Sequence, residues 1–122
     1  IRTFSGINTG GNMGTRPTRV PVNLKAIYYL KDMQGEGKII DISTGGIGME
    51  VRQIFVVGDL IRIIFRLPDQ GSEIDFWGIV RNVNGNIIGV NFEEISNENR
   101  ERIDRYVAGL LLQTGRPPKE NY

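Results

Sequence analysis

The sequence predicts a mainly-β fold: an antiparallel barrel or sandwich of about six short strands, followed by one C-terminal helix. Three observations carry this. Apolar residues alternate with polar ones in successive stretches between Val20 and Phe92, the period of a half-buried strand. Turn-forming residues separate these stretches, and no helical pattern lies between them. After Phe92 the period lengthens to that of a helix.

Residues 1–15 read as a mobile arm, because Gly6, Gly10, Gly11 and Gly14 are interspersed with Ser, Thr and Asn and no apolar period appears. The first strand follows, with Val20, Val22, Leu24, Ala26, Tyr28 and Leu30 on one face. Pro21 suits its start, as at a sheet edge. Gly35-Glu36-Gly37 reads as a turn and Lys38 to Ile42 as a short second strand. Thr44 to Gly46 interrupts the pattern; Ile47, Met49 and Val51 resume it. Gly58-Asp59 marks a turn, after which Ile61, Ile63, Phe65 and Leu67 face one way and Arg62 and Arg66 the other. Pro68-Asp69-Gln70-Gly71 closes that strand. Ile74, Phe76 and Val80 mark a longer strand containing Gly78, Asn84-Gly85 is a hairpin signal, and Ile88, Val90 and Phe92 form the return. Ile103, Tyr106, Val107, Leu110 and Leu111 then fall at helical spacing. Ser96 or Asn97 can cap this helix, and Glu98–Arg102 and Glu101–Arg105 are ordered as i,i+4 ion pairs. Gly115 and Pro117-Pro118 stop it, and residues 113–122 read as a loose tail. The expected domain is therefore 16–112, with the helix covering an open end of the barrel.

A chain of 122 residues fits one domain that can bury a core without staples. It has no cysteine and no histidine, which removes thiolate chemistry, sulfur-ligated metals and the commonest general base and metal ligand. No carboxylate pair is placed by the pattern into one pocket, so the expectation is no catalytic residue, no metal and no enzyme. A net charge of +1 gives no bulk attraction to DNA, RNA or an anionic membrane, so an anionic ligand needs a local cluster of donors. No apolar run approaches the ~20 residues of a membrane helix, and a cytoplasmic location is expected. The chain begins at Ile1 rather than methionine, and the expectation is a piece of a longer or processed protein with flanking domains.

Two clusters carry recognisable chemistry. Arg16-Pro17-Thr18-Arg19 stands where the arm meets the first strand. Arginine offers a planar fork of donors that fits a phosphate or the O6/N7 edge of guanine, and its face stacks on bases. Asp41-Ile42-Ser43-Thr44-Gly45-Gly46 lies between two strands. Its carboxylate can accept from a guanine N1/N2 edge, its hydroxyls and a glycine turn can approach a phosphate, and the glycines permit close contact. Each cluster alone has a plain structural reading, a solvated strand start and a self-bonded β-turn. As second-tier candidates, Trp77 could stack on a base and Arg81, on the same face, could meet a phosphate; as plain packing and surface residues they need no ligand.

The combination resembles a PilZ domain over roughly residues 15–112. Arginine at the start of a first strand, D-x-S-x-x-G at the second turn, a barrel and a terminal helix occur in that order. The resemblance extends to Trp77-Gly78-Ile79-Val80-Arg81 and to Ile88-Gly89-Val90-Asn91-Phe92. It implies a six-stranded antiparallel β-barrel with a C-terminal helix and, as ligand, the bacterial second messenger cyclic di-GMP, with no cofactor. In the family an R-x-x-x-R pair joins the D/N-x-S-x-x-G turn. Arg19 matches the second arginine, and Asp41, Ser43 and Gly46 match the turn at every fixed position. Thr15 stands where the first arginine would be, and Arg16 one place later. The implied ligand residues are Arg16, Arg19, Asp41, Ser43 and Gly46, and the implied output is an ordered arm or a repositioned protein partner or linked domain. The alternative is a PilZ-like protein-interaction adaptor that works without nucleotide. A third reading is an unrelated oligonucleotide-binding or SH3-like barrel, which would require an aromatic-basic stripe across adjacent strands that this sequence lacks.

Overall fold

The alternation from Val20 onward becomes six strands in the computed structural model, which describes residues 18–69 and 71–113. They are β1 (Val20–Leu30), β2 (Met33–Ile42), β3 (Gly46–Glu50), β4 (Leu60–Phe65), β5 (Ile74–Asn84) and β6 (Ile87–Glu94), followed by α1 (Asn97–Gln113). All pairings are antiparallel, and the sheet closes into a barrel in the order β1-β2-β3-β6-β5-β4. The inward set of each strand fills the barrel. Tyr28, Ile39, Ile42, Ile47, Met49, Ile61, Ile63 and Ile74 are fully enclosed. Phe76 meets Phe65 and Phe92 edge-to-face, with centroids 6.2 and 4.9 Å apart.

Antiparallel closure puts the starts of β1, β3 and β5 and the ends of β2, β4 and β6 at one mouth of the barrel. Helix α1 covers that mouth, sinking Ile103, Val107 and Leu111 into the core. Ser96 caps it: the Asn99 amide donates to Ser96 Oγ at 3.1 Å. The expected i,i+4 pairs do not form. Arg102, whose side chain is only 9% exposed, instead reaches the β4–β5 loop, where Nε and Nη2 donate to Asp69 at 3.0 and 2.9 Å, and Glu98 acts on it only at longer range. Nη2 also donates to the Ser72 carbonyl. This fork is far better satisfied than a solvated helix-face pair, and Arg102 holds the Asp69 carboxyl down at about 2, assisted by the Gly71 amide.

Two turns differ from expectation. Gly35 and Gly37 lie inside β2, and the β1–β2 hairpin instead turns at Lys31-Asp32, with Lys31 at φ 55°. The glycines serve close approach rather than turning. A Cβ on Gly35 would sit 2.5 Å from the buried Tyr28 ring, and one on Gly37 would sit 2.8 Å from the Glu50 carbonyl. The β5–β6 turn is Gly85-Asn86, one residue later than expected, and Gly85 takes the positive φ of 64°. Pro21 lies beside a bulge, on a part of β1 that β4 does not pair, so its missing N–H removes no β1–β4 bond.

Candidate functional site

Arg19 precedes β1, whose first residue Val20 pairs with Ile42, the last of β2. That register brings Arg19 beside Asp41, and Arg19 Nη1 donates to Asp41 Oδ1 at 2.8 Å. The side chains remain 44% and 28% exposed. An ion pair this open contributes about 0–1 kcal/mol to stability. It does, however, present an oriented donor fork next to an acceptor whose second oxygen has no partner among the described residues.

The turn that follows is closed on itself. Ser43 is 4% exposed. Its amide donates to the Gly46 carbonyl at 2.9 Å, and its Oγ accepts from the amides of Gly45 and Gly46 at 3.1 and 3.2 Å. The serine therefore shapes the turn from within, and those two glycine amides are engaged there. Gly46 admits no side chain, because a Cβ would collide with the Val90 carbonyl of β6. The turn is tied to β6 a second time, where the Phe92 amide donates to the Gly45 carbonyl at 3.1 Å.

Beside the turn the barrel's outer surface is floored by glycine. Ile47 and Met49 point inward, so by alternation Gly46 and Gly48 belong to the outer face, as does Gly89 between Ile88 and Val90, yet all three glycines are buried. Register aligns Asp41, Gly48, Gly89 and Asn82 in one row across four strands. The Asp41 carboxylate lies over Gly48, where a Cβ would come within 2.7 Å of Oδ1, and the Asn82 amide lies over Gly89 in the same way. The next row holds Gly46, Asn91, Ile79 and Leu60. The result is a low stretch of outer surface on which an acid and an amide each lie flat over a buried glycine. Gly48, Gly89 and Asn82 lie in this row and are not among the residues the sequence singles out; the alternation Ile47-Gly48-Met49 and Ile88-Gly89-Val90 gives the glycines' face, but not the side chains that cover them.

Of the second-tier residues, Trp77 is exposed on β5, two strands from the turn and roughly 10 Å across by strand spacing. It pairs with Glu94 and Arg62 beside a shallow depression that also includes Asp75. Arg62 is forked onto Asp75 at 2.9 and 2.6 Å, which lowers the Asp75 pKa, so this guanidinium is already matched. Arg81 is exposed at the β5 bulge next to Asn82, near the glycine strip and further along the strand from Trp77. Arg16 and Thr15 lie outside the described residues, as do the arm and most of the tail. Among the described residues no group of three His, Cys, Asp or Glu could hold a metal, and no helix is long and apolar enough to cross a membrane.

A family model described as PilZ domain matches residues 15–109. No curated protein sequence matched the chain. Among solved structures, the Bacillus subtilis inhibitor of motility (MotI/DgrA) aligns with a TM-score of 0.75 and 19% identity, over 85% of this chain and 54% of that one. The PilZ domain with cyclic di-GMP of YcgR from Escherichia coli gives 0.65 and 15%, over 82% and 93%. The Klebsiella pneumoniae MrkH–cyclic di-GMP complex gives 0.69 and 18%, over 85% and 54%. The chain thus spans about half the length of the first and third of these proteins.

Proposed function

Because the chain belongs to the PilZ domain family, we propose that it is a bacterial cyclic di-GMP receptor domain that recognises the dinucleotide beside the Ser43–Gly46 turn. The observation that carries the reading is the Arg19–Asp41 pair, half-exposed and bonded at 2.8 Å beside a turn that is closed on itself. Arg19 supplies a fork for a guanine O6/N7 edge or a phosphate, and Asp41 accepts from a guanine N1/N2 edge. Ser43 and Gly46 hold the turn in shape, so little reorganisation opposes binding. Arg16 brings a second guanidinium from the arm, and Trp77 and Arg81 are available along β5. Two structural neighbours, YcgR and MrkH, are complexes with cyclic di-GMP, which supports the ligand assignment. The domain works in the cytoplasm, where it passes occupancy through the arm to a linked domain or a protein partner in motility, exopolysaccharide or regulatory machinery. The motility inhibitor among the neighbours supports that coupling.

Calorimetric titration with cyclic di-GMP tests the reading. Saturable heat is expected, with strong weakening in both Arg19→Ala and Asp41→Ala. No heat at tens of micromolar ligand sinks the receptor assignment and favours the nucleotide-independent adaptor; undiminished affinity in both variants removes the site.

A further inference from the structure

Barrel order places different strands on the two sides of the Ser43–Gly46 turn: β1 beside β2, and β6 beside β3. Arg19 enters from the β1 side. On the β6 side stands Phe92, whose amide holds Gly45. The chain leaves β6, is capped at Ser96 and begins α1, which carries Arg100 back over this strand. The Arg100 guanidinium sits 5.9 Å from the Phe92 ring centroid, and Nη1 donates to the Thr44 carbonyl at 3.4 Å. Thr44 belongs to the D-x-S-x-x-G turn itself.

The state of this arginine differs from that of its neighbours. Arg19, Arg62 and Arg102 each face a carboxylate; Arg100, like Arg52, Arg66, Arg81 and Arg105, forms no ion pair among the described residues, and what sets it apart is its contact with the turn. Its one hydrogen bond is long and leaves four of its five N–H donors uncommitted. Stacking on Phe92 restrains the side chain without neutralising it. An exposed positive charge without an ion-pair partner among the described residues therefore borders the turn.

We propose that Arg100 is a ligand-contacting residue of this site, donating to a phosphodiester or guanine edge from the side of the turn opposite Arg19. The inference rests on the receptor reading above. Arg19 approaches from the β1 side and Arg100 from α1 over β6, and β1 and β6 are three strand spacings apart, roughly 14 Å, a gap that two long side chains can span. A cyclic dinucleotide carries two phosphodiesters and two guanines, so one ligand offers a matching group to each arm. This also supplies a guanidinium to a site in which Thr15 replaces one arginine of the family pair.

The experiment is titration of the 122-residue chain with cyclic di-GMP, using the wild type, Arg100→Ala, Arg100→Lys and, as a control on the same helix, Arg105→Ala. Arg100→Ala is expected to weaken binding about tenfold to a hundredfold with its melting temperature held, the size of a charge-assisted hydrogen bond. Its affinity should also depend less steeply on salt than the wild type's, and Arg100→Lys should recover part of the loss. Arg105→Ala should bind as the wild type. Wild-type affinity in Arg100→Ala overturns the inference and leaves the receptor reading standing. So does an equal loss in Arg105→Ala, or a loss accompanied by a lower melting temperature and an unchanged salt slope, which would mark turn packing. No heat from the wild type overturns both.

Discussion

Gly48→Ala separates a role in folding from a role in binding. A Cβ at position 48 would stand 2.7 Å from Asp41 Oδ1, 2.9 Å from Oδ2 and 3.0 Å from Cγ. The obstructing atoms are the end of a flexible side chain, so the barrel need not move; the carboxylate does. It must retreat by several tenths of an ångström, which breaks the 2.8 Å bond to Arg19. The lost pair is exposed, so the stability change is about 0–1 kcal/mol. A carboxylate misplaced against a guanine edge forfeits a charged hydrogen bond of about 1.5–3 kcal/mol, roughly tenfold to a hundredfold in affinity. Calorimetry with cyclic di-GMP, alongside a thermal melt, reads the two quantities separately. The mechanism is local, so Gly48→Ala should be nearly silent in an Asp41→Ala background. If Gly48→Ala costs the same affinity in both backgrounds, the glycine does not act through Asp41 and the reasoning fails.

Ser43→Ala removes the oxygen that accepts from two turn amides, leaving buried donors unmatched; a loss of about 1–3 kcal/mol is expected by denaturant titration, and an unchanged midpoint would contradict the turn-shaping role. The Asp69 carboxyl is lowered from 3.8 to about 2 by the Arg102 fork, so its stabilisation of the helix contact is complete above pH 3.8 and is lost as pH falls through 2. Acid titration of stability in Asp69→Asn should accordingly be flatter over that window than in the wild type; matching curves would mean that the pair does not pin the helix.

Much of the barrel is legible because its core is spelled in period two. From Ile61 to Phe65 the alternation names every inward position, and from Ile74 to Val80 it names every inward side chain, Gly78 being the inward position without one. The glycines were harder. Gly35 and Gly37 look like turn residues, yet the side chain that needs Gly35 bare is Tyr28, on another strand. Local pattern cannot disclose a cross-strand neighbour. The same limit hid Gly48 and Gly89, whose value lies in what leans over them. Glu98 and Arg102 have ideal helical spacing, but Asp69, distant in sequence, offers Arg102 a more enclosed partner. At the candidate site, the motif singles out Asp41 and Arg19, and the structure bonds the two to each other because both sit near one strand pairing. Arg100 lay in an apparently solvated first helical turn, and only the return of α1 over Phe92 brings it to Thr44.

The position of β3 between β2 and β6 has a consequence for folding. The chain leaves β3, builds β4 and β5 elsewhere on the wall, and returns with β6 only near its end. Among the described residues the turn is thus bordered by the first and the last strands, and no short fragment can assemble its surroundings. Such long-range closure is the slow part of folding a β-barrel. A molecule lodged across the turn engages the native barrel and finds no partial version of its site in the unfolded chain. Ligand concentration then acts on the whole cooperative unit, and the melting temperature should climb with it.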